Sequence, residues 1–416
     1  MFSAFRSARR KSSHLALAIA LAGGAAFAMP AVAQEYSPGF SERYNAVSPL
    51  VQEATLDIAG AAAQIDSVIA SVQTADDRMA AGNLVLIVGN RTDDAALQRR
   101  GLEMMVASGK VEPERLGLFQ YNIGSLAYNA GDYQAARDAL LAAQAAGYVN
   151  DSGRVVNDPE YIVMQSYFTE DNFDAGFDYV SDLYDARAAA GNPLDERYLL
   201  FALQNAYDND LAPQAATVSR LVLEGNPSTT NWTNALRIYY QISQLDPQME
   251  VDTLRLMREV GANMERQELS ALIDSLDARN MGTEVLSVLD TGVAAGIYEE
   301  SEVYYTDNRD IARRRSAIDR NEVATIIADG NTGDVRDTIA SANVLYGLGN
   351  YSDAATLFER AAGQSADPSL ALTRLGMAQL KMGEVAAAQE TFARVTGPRA
   401  TLAQFWSIYA DTLSAQ

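Results

Sequence analysis

The chain has 416 residues, 48% of them hydrophobic, and is long enough to bury a large core. Its formal net charge of −22 comes from 54 acidic and 32 basic residues, and so acidic a surface disfavours nucleic acid and anionic lipid headgroups. It has no cysteine, which excludes a disulfide framework and a lipid-modified cysteine, and His14 is its only histidine.

Residues 1–33 have the pattern of a secretory signal peptide. A basic segment ending in Arg9-Arg10-Lys11 precedes an apolar stretch over 15–29, and Ala31-Val32-Ala33 places small residues before Gln34. We predict cleavage before Gln34, with a retained anchor as the alternative. The mature protein is then periplasmic or secreted, without membrane insertion. Cleavage leaves 28 basic and 54 acidic residues, a net charge of −26.

Loss of the signal peptide also removes His14, so the mature protein has neither histidine nor cysteine. This excludes Ser-His-Asp and Cys-His nucleophiles, histidine acid–base chemistry, and the usual zinc, copper and haem ligands. Carboxylate catalysis, oxygen-ligand metals and lysine chemistry stay open. From this short inventory we predict no catalytic residue, no cofactor and no metal site.

Helical patterns follow the signal peptide. Residues 34–76 are Ala-rich in their second half and are predicted to form an N-terminal helical cap. Residues 77–335 are predicted to form degenerate helix-turn-helix repeats, with turns at positions such as Asn209-Asp210-Leu211 and Asn280-Met281-Gly282.

The stretch 296–335 fits the repeat least well. Within it, Asp329 to Asp334 resembles a calcium loop, but position twelve is Ala340 and not the glutamate that an EF-hand needs. A tight turn between helices is the predicted structure there.

The clearest repeats lie in 336–400, where two units are predicted. Three pairs of residues are each 34 positions apart: Gly349 and Gly383, Ala354 and Ala388, Phe358 and Phe392. This period is the length of a tetratricopeptide helix-turn-helix unit. Residues 401–416, which include Phe405, Trp406 and Tyr409, are predicted to form a C-terminal capping helix.

Two segments carry the same signature. One consists of Ile123-Gly124, Gly131-Asp132-Tyr133, Ala136, Leu140 and Ala143, and the other of Leu375-Gly376, Gly383, Ala388, Phe392 and Pro398. The chain therefore resembles the tetratricopeptide repeat family, here as an exported bacterial member. The resemblance implies an all-α, right-handed superhelical solenoid of stacked repeats, each with a helix A and a helix B. An α/α-toroid or an irregular helical bundle is the alternative.

In this family the concave surface is lined mainly by helix A, and the resemblance implies that this surface binds a protein or an extended peptide. The candidate partner-binding residues on it are Tyr128, Asn129, Phe168, Gln204, Tyr207, Arg237, Tyr240, Asn343 and Tyr346. Tyrosines on a rigid scaffold give a large contact area at low entropic cost. The alternative is that the aromatic residues pack between helices, as helical aromatic stripes usually do.

This acidic chain contains one cluster of basic residues, formed by Arg309, Arg313, Arg314, Arg315 and Arg320. It either docks an acidic partner segment or pairs with nearby acids such as Asp310, Asp319, Glu300 and Glu302.

The sequence as a whole predicts a non-enzymatic protein- or peptide-binding scaffold of the bacterial cell envelope. A self-associating structural envelope protein is the first alternative, which leaves a homo-oligomer open. A glycan-active enzyme that uses two carboxylates is the second.

Overall fold

The computed structural model describes residues 35–414, and all the regular structure in that range is helical. The predicted all-α fold of stacked helix-turn-helix units is therefore confirmed. The predicted signal peptide, residues 1–33, lies outside the described range. None of the helices within 35–414 combines the length and the hydropathy needed to cross a bilayer. The chain divides into two compact units, residues 1–194 and 195–416.

The described part of the first unit contains eight α-helices and three short 3-10 helices. The α-helices are α1 (Pro38–Val47), α2 (Ile58–Ala70), α3 (Ala75–Thr92), α4 (Ala95–Ala107), α5 (Pro113–Asn129), α6 (Tyr133–Ala145), α7 (Pro159–Thr169) and α8 (Phe173–Ala189). Each helix packs against its neighbours in sequence, which is the arrangement of a repeat stack.

The turn between α5 and α6 shows how the sequence specifies a repeat. Gly131 has a φ of 79°, a left-handed conformation that glycine adopts without strain. Asp132 then caps α6, because its carboxylate accepts a hydrogen bond from the N–H of Ala135 at 3.3 Å. The Gly-Asp pair thus ends one helix and begins the next.

The second unit contains thirteen α-helices in its described part. They are α9 (Glu196–Asp208), α10 (Ala212–Gly225), α11 (Thr229–Ile242), α12 (Pro247–Glu259), α13 (Arg266–Leu276), α14 (Gly282–Ala294), α15 (Val303–Asn321), α16 (Val323–Thr332), α17 (Val335–Leu348), α18 (Tyr351–Gln364), α19 (Ser369–Lys381), α20 (Val385–Ala393) and α21 (Ala400–Ser414).

The stretch 296–335 contains the longest of these helices, the 19-residue α15, followed by the ten-residue α16. Asp329 lies inside α16, so the turn predicted from Asp329 onward is wrong in its position. The turn begins at Gly333, and Asp334 caps α17 by accepting hydrogen bonds from the N–H groups of Arg336 and Asp337.

Helix α12 is enclosed by the rest of the second unit. Every residue from Val251 to Met257 is buried, so no face of this part of the helix is open to solvent. The reason is that α10 and α12 pack against α21, and α14 packs against α17. Tyr239 on α11 also meets Phe405 on α21, with ring centroids 5.4 Å apart. The helix-B side of the early repeats therefore lies against the helix-A side of the late ones.

Gly376 on α19 is the point of closest approach within the last repeat. A Cβ atom there would lie 2.4 Å from Cε1 of Phe392, and the Phe392 ring stacks on Trp406 and has little room to retreat. Gly363 on α18 has no neighbouring atom within 4 Å of an added Cβ.

We predict that Gly376→Ala lowers the free energy of unfolding by about 1–3 kcal/mol, because the methyl group overpacks the repeat. Gly363→Ala should leave it unchanged or raise it by up to about 1 kcal/mol, through better helix propensity. Chemical denaturation measures both. Equal effects of the two substitutions would contradict the close approach.

Candidate functional site

The helix-A side of the last repeats, where Asn343 and Tyr346 lie, is occupied by the chain itself. The Tyr346 ring is buried, and the guanidinium carbon of Arg255 on α12 lies 5.4 Å from its centroid. The Oδ1 atom of Asn343 accepts a hydrogen bond from Nη1 of Arg374 on α19 at 3.1 Å. Tyr346 thus contacts α12 at the position where a foreign peptide was expected. Asn343 forms a hydrogen bond to the neighbouring helix α19. Their predicted role in partner binding would require these internal contacts to be replaced.

A buried ionic cluster fixes α12 in this position. The carboxylate of Asp252 is fully buried, with Oδ1 3.0 Å from Nε of Arg374 and Oδ2 2.9 Å from Nη1 of Arg399. Nη1 of Arg255 donates to the same carboxylate at 3.0 Å. Arg255 also binds both carboxylate oxygens of Glu284, at 2.8 and 2.7 Å. The cluster joins α12 to α14, to α19 and to the 3-10 helix Gly397–Arg399 before α21.

The environment favours the charged forms of Asp252 and Arg255. Burial by itself raises the pKa of Asp252, but the guanidinium groups of Arg374, Arg255 and Arg399 outweigh it and leave the pKa below its usual value. Burial disfavours the charge on Arg255, yet Glu284 and Asp252 together raise its pKa. For Arg374, burial outweighs the attraction of Asp252 and lowers the pKa. The charged partners therefore offset the loss of hydration for Asp252 and Arg255, and only in part for Arg374.

Two further predicted site residues are also committed to internal contacts. Phe168 is 5% exposed and lies edge-on to Phe177, with ring centroids 5.0 Å apart. Arg237 donates to both oxygens of Glu268, at 2.7 and 3.0 Å, and to the carbonyl oxygen of Asn263. Its guanidinium joins α11 to α13.

The other predicted residues lie wholly or partly at the surface. Tyr128 is half-buried, and its hydroxyl lies 3.2 Å from the Thr169 hydroxyl, while Asn129 is exposed at the end of α5. Tyr240 is half-buried, and burial, with smaller effects of Glu250 and Glu268, raises its pKa.

Gln204 and Tyr207 are the predicted residues that the structure brings together on one open helix face. The Tyr207 hydroxyl donates to Oε1 of Gln241 at 3.0 Å, across 34 residues, so one helix A is tied to the next. Nε2 of Gln204 donates to Asp208 at 2.8 Å. Leu200, one turn before Gln204, is 39% exposed. Sequence reasoning missed Leu200, although its i, i+4, i+7 spacing with Gln204 and Tyr207 places it on the same face.

These residues define a surface that we call the α9–α11 surface: Leu200, Gln204, Tyr207 and Gln241. It combines one apolar side chain, one aromatic ring with a polar tip and two amides that can each donate and accept hydrogen bonds. Such a set suits the alternating backbone and side-chain groups of an extended peptide.

Comparison with known proteins identifies the repeats. Residues 345–411 match the model of the tetratricopeptide repeat family. The chain thus contains tetratricopeptide repeats in its C-terminal part, and the family resemblance is confirmed there. A search of the curated proteins found no match.

Among solved structures, one similar chain belongs to the Naa15/Naa10 complex bound to HypK-THB. The two chains are 11% identical, with a TM-score of 0.26, and the match covers 88% of this chain. This chain spans 65% of the length of that one.

Asp252→Asn tests the ionic cluster. It should lower the free energy of unfolding by about 3–5 kcal/mol at neutral pH, because three buried guanidinium groups lose their shared carboxylate. Asp290→Asn is the matched control: Asp290 is exposed on α14, so a change under about 0.5 kcal/mol is expected.

The difference in stability between the wild type and Asp252→Asn should depend on pH. Because the pKa of Asp252 is lowered on folding, its contribution is fully present above the unfolded value of about 3.9 and is lost as the pH falls through the folded value. The gap between wild type and Asp252→Asn should therefore shrink below about pH 4. Equal stability of the two at pH 7 would contradict the cluster's role.

Proposed function

We propose that this chain is a protein-binding scaffold of the bacterial cell envelope that holds an extended peptide segment of its partner on the α9–α11 surface. Tetratricopeptide repeats are in general protein-interaction modules, and they are generally non-catalytic. In this proposal the chain has no catalytic role and acts through shape and hydrogen bonding alone.

The observation that carries the proposal is the unequal use of the two sides of the early repeats. The helix-B side, represented by α12, is enclosed by the late repeats. On the helix-A side, Leu200 is exposed, with Gln204 and Tyr207 on the same face. A partner therefore has access to this face of α9, whereas the buried part of α12 is closed to it.

The chemistry of the surface supports a peptide as the occupant. Amide side chains such as Gln204 and Gln241 can pair with a peptide N–H and a C=O at the same time. Tyr207 is held by Gln241 before any partner arrives, so little entropy is lost in ordering it. Leu200 offers a contact for one apolar side chain of the peptide.

The envelope location in this proposal is supported by the signal-peptide pattern of residues 1–33. It is also consistent with the cysteine-free sequence, which is unaffected by an oxidising compartment.

A displayed library of random peptides tests the binding surface directly. Peptides selected on the wild-type protein should bind the double variant Gln204→Ala/Tyr207→Ala at least about tenfold more weakly, because a central tyrosine contact is lost. The control Thr217→Ala/Glu224→Gln changes exposed residues of α10 in the same repeat and should bind as the wild type does.

Two results would overturn the surface assignment. One is that the library yields no specific binder, and the other is that the selected peptides bind the double variant as tightly as the control. Thermal unfolding of the three proteins verifies that a loss of binding is not a loss of folding.

The location is tested separately. Protein isolated from its native cells should begin at Gln34, as read by mass spectrometry of its N-terminal peptide. A chain that begins at Met1 and stays in the cytoplasm would contradict export and leave the peptide-binding surface untouched.

A further inference from the structure

Helix α15 presents a basic face to solvent. Arg313, Arg314 and Arg320 are exposed, and none of them forms an ion pair within residues 35–414. The neighbouring Arg309 and Arg315 are paired, with Asp310 at 2.9 Å and Asp319 at 2.7 Å, so the predicted internal pairing holds for only part of the run.

Glu302, another acid expected to pair with this run, binds Arg266 instead. Ile318, which is 48% exposed, lies one helical turn after Arg314. Arg309, Arg313 and Arg320 lie along one side of α15, and Arg314 flanks that side. We call these four residues the α15 stripe. Three of these four guanidinium groups have no ion pair in the described range, and on a chain with a net charge of −22 they favour an acidic occupant.

Helix α8 carries a complementary face. Asp174, Asp178, Asp182 and Asp185 are all exposed, and within the described residues none of them accepts a hydrogen bond or an ion pair through its carboxylate. Their i, i+4, i+8, i+11 spacing places all four carboxylates along one side of the helix. We call these four residues the α8 stripe.

The two stripes match in length and spacing. Positions 309, 313, 317 and 320 of α15 repeat the spacing of the four aspartates, and both sets extend over about 16 Å of helix. Arginine occupies three of these four positions, and alanine the third. Two helices with these faces can align several guanidinium and carboxylate groups at once.

We propose that the α15 stripe is a docking surface for the α8 stripe of a second copy of this chain. The contact goes beyond the proposed peptide binding and does not depend on it. Because the two surfaces differ, the contact is heterologous. Two joined copies leave one α8 stripe and one α15 stripe free, so growth continues into a chain or closes into a ring. Exposed ion pairs are individually weak, so the association is reversible and salt-sensitive.

Salt dependence gives the first readout. At about 0.1 M salt, the general repulsion between acidic chains is screened beyond about 10 Å while direct contacts persist. The weight-average mass in sedimentation equilibrium should rise with protein concentration under these conditions. At about 1 M salt it should fall to that of a single chain, because the screening length shortens to about 3 Å.

Two neutralised variants test the pairing of the stripes. Variant one carries Arg313→Gln, Arg314→Gln and Arg320→Gln, and variant two carries Asp174→Asn, Asp178→Asn and Asp182→Asn. Each alone should sediment as a monomer. An equimolar mixture should form dimers and nothing larger, since it contains one intact α8 stripe and one intact α15 stripe.

A control variant removes the same charge elsewhere, through Arg91→Gln, Arg336→Gln and Arg394→Gln at three exposed positions. It should associate as the wild type does. Circular dichroism should show the same helicity and melting for all four proteins. A wild-type mass that stays monomeric at every concentration would overturn the proposal. Association that survives in variant one, or a mixture that stays monomeric, would do so as well.

Discussion

The second unit depends on one buried carboxylate. Asp252 is the common partner of Arg255, Arg374 and Arg399, and two of these arginines lie more than 120 residues further along the chain. Repeat stacks are normally held together by contacts between successive units. Here the carboxylate also joins the early repeats to the late ones, and it explains why α12 is buried on every side. A charge in this position is tolerable only because every group around it is paired.

The packing of α12 against the late repeats, which we call the closure, determines which surfaces are available for function. The late repeats, which match the tetratricopeptide family best, use their helix-A side to hold α12. The peptide binding that we propose therefore uses helix A of the early repeats, where Leu200, Gln204 and Tyr207 share a face. The same closure leaves α15 with a solvent-facing basic side, which is the basis of the proposed contact between copies. Helix A thus contacts the chain itself in the late repeats, and in our proposal it contacts a partner in the early repeats.

The local structure was predictable because its causes are local. Gly131-Asp132 specifies a left-handed cap and an N-cap, and the 34-residue spacing of Phe358 and Phe392 specifies repeated packing. The segment that lies against helix A of the late repeats was not predictable. Tyr346 lies on helix A whether it faces a foreign peptide or α12, and a contact 122 residues distant, such as Asp252 with Arg374, has no periodic signal. Likewise, nothing in the sequence separates Arg237, which binds Glu268, from an arginine that awaits a partner.

The absence of cysteine from the sequence permits a direct test of the closure. Glu259 on α12 and Lys381 on α19 form an ion pair at 2.6 Å, and both can be replaced, as Glu259→Cys and Lys381→Cys. A short bismaleimide added to the folded double variant should link the two positions within one chain, detected as a single cross-linked peptide pair by mass spectrometry. Efficient cross-linking under native conditions, lost in denaturant, is the expected result. Two thiols that react separately in the folded protein would show that α12 does not lie in the groove of the late repeats.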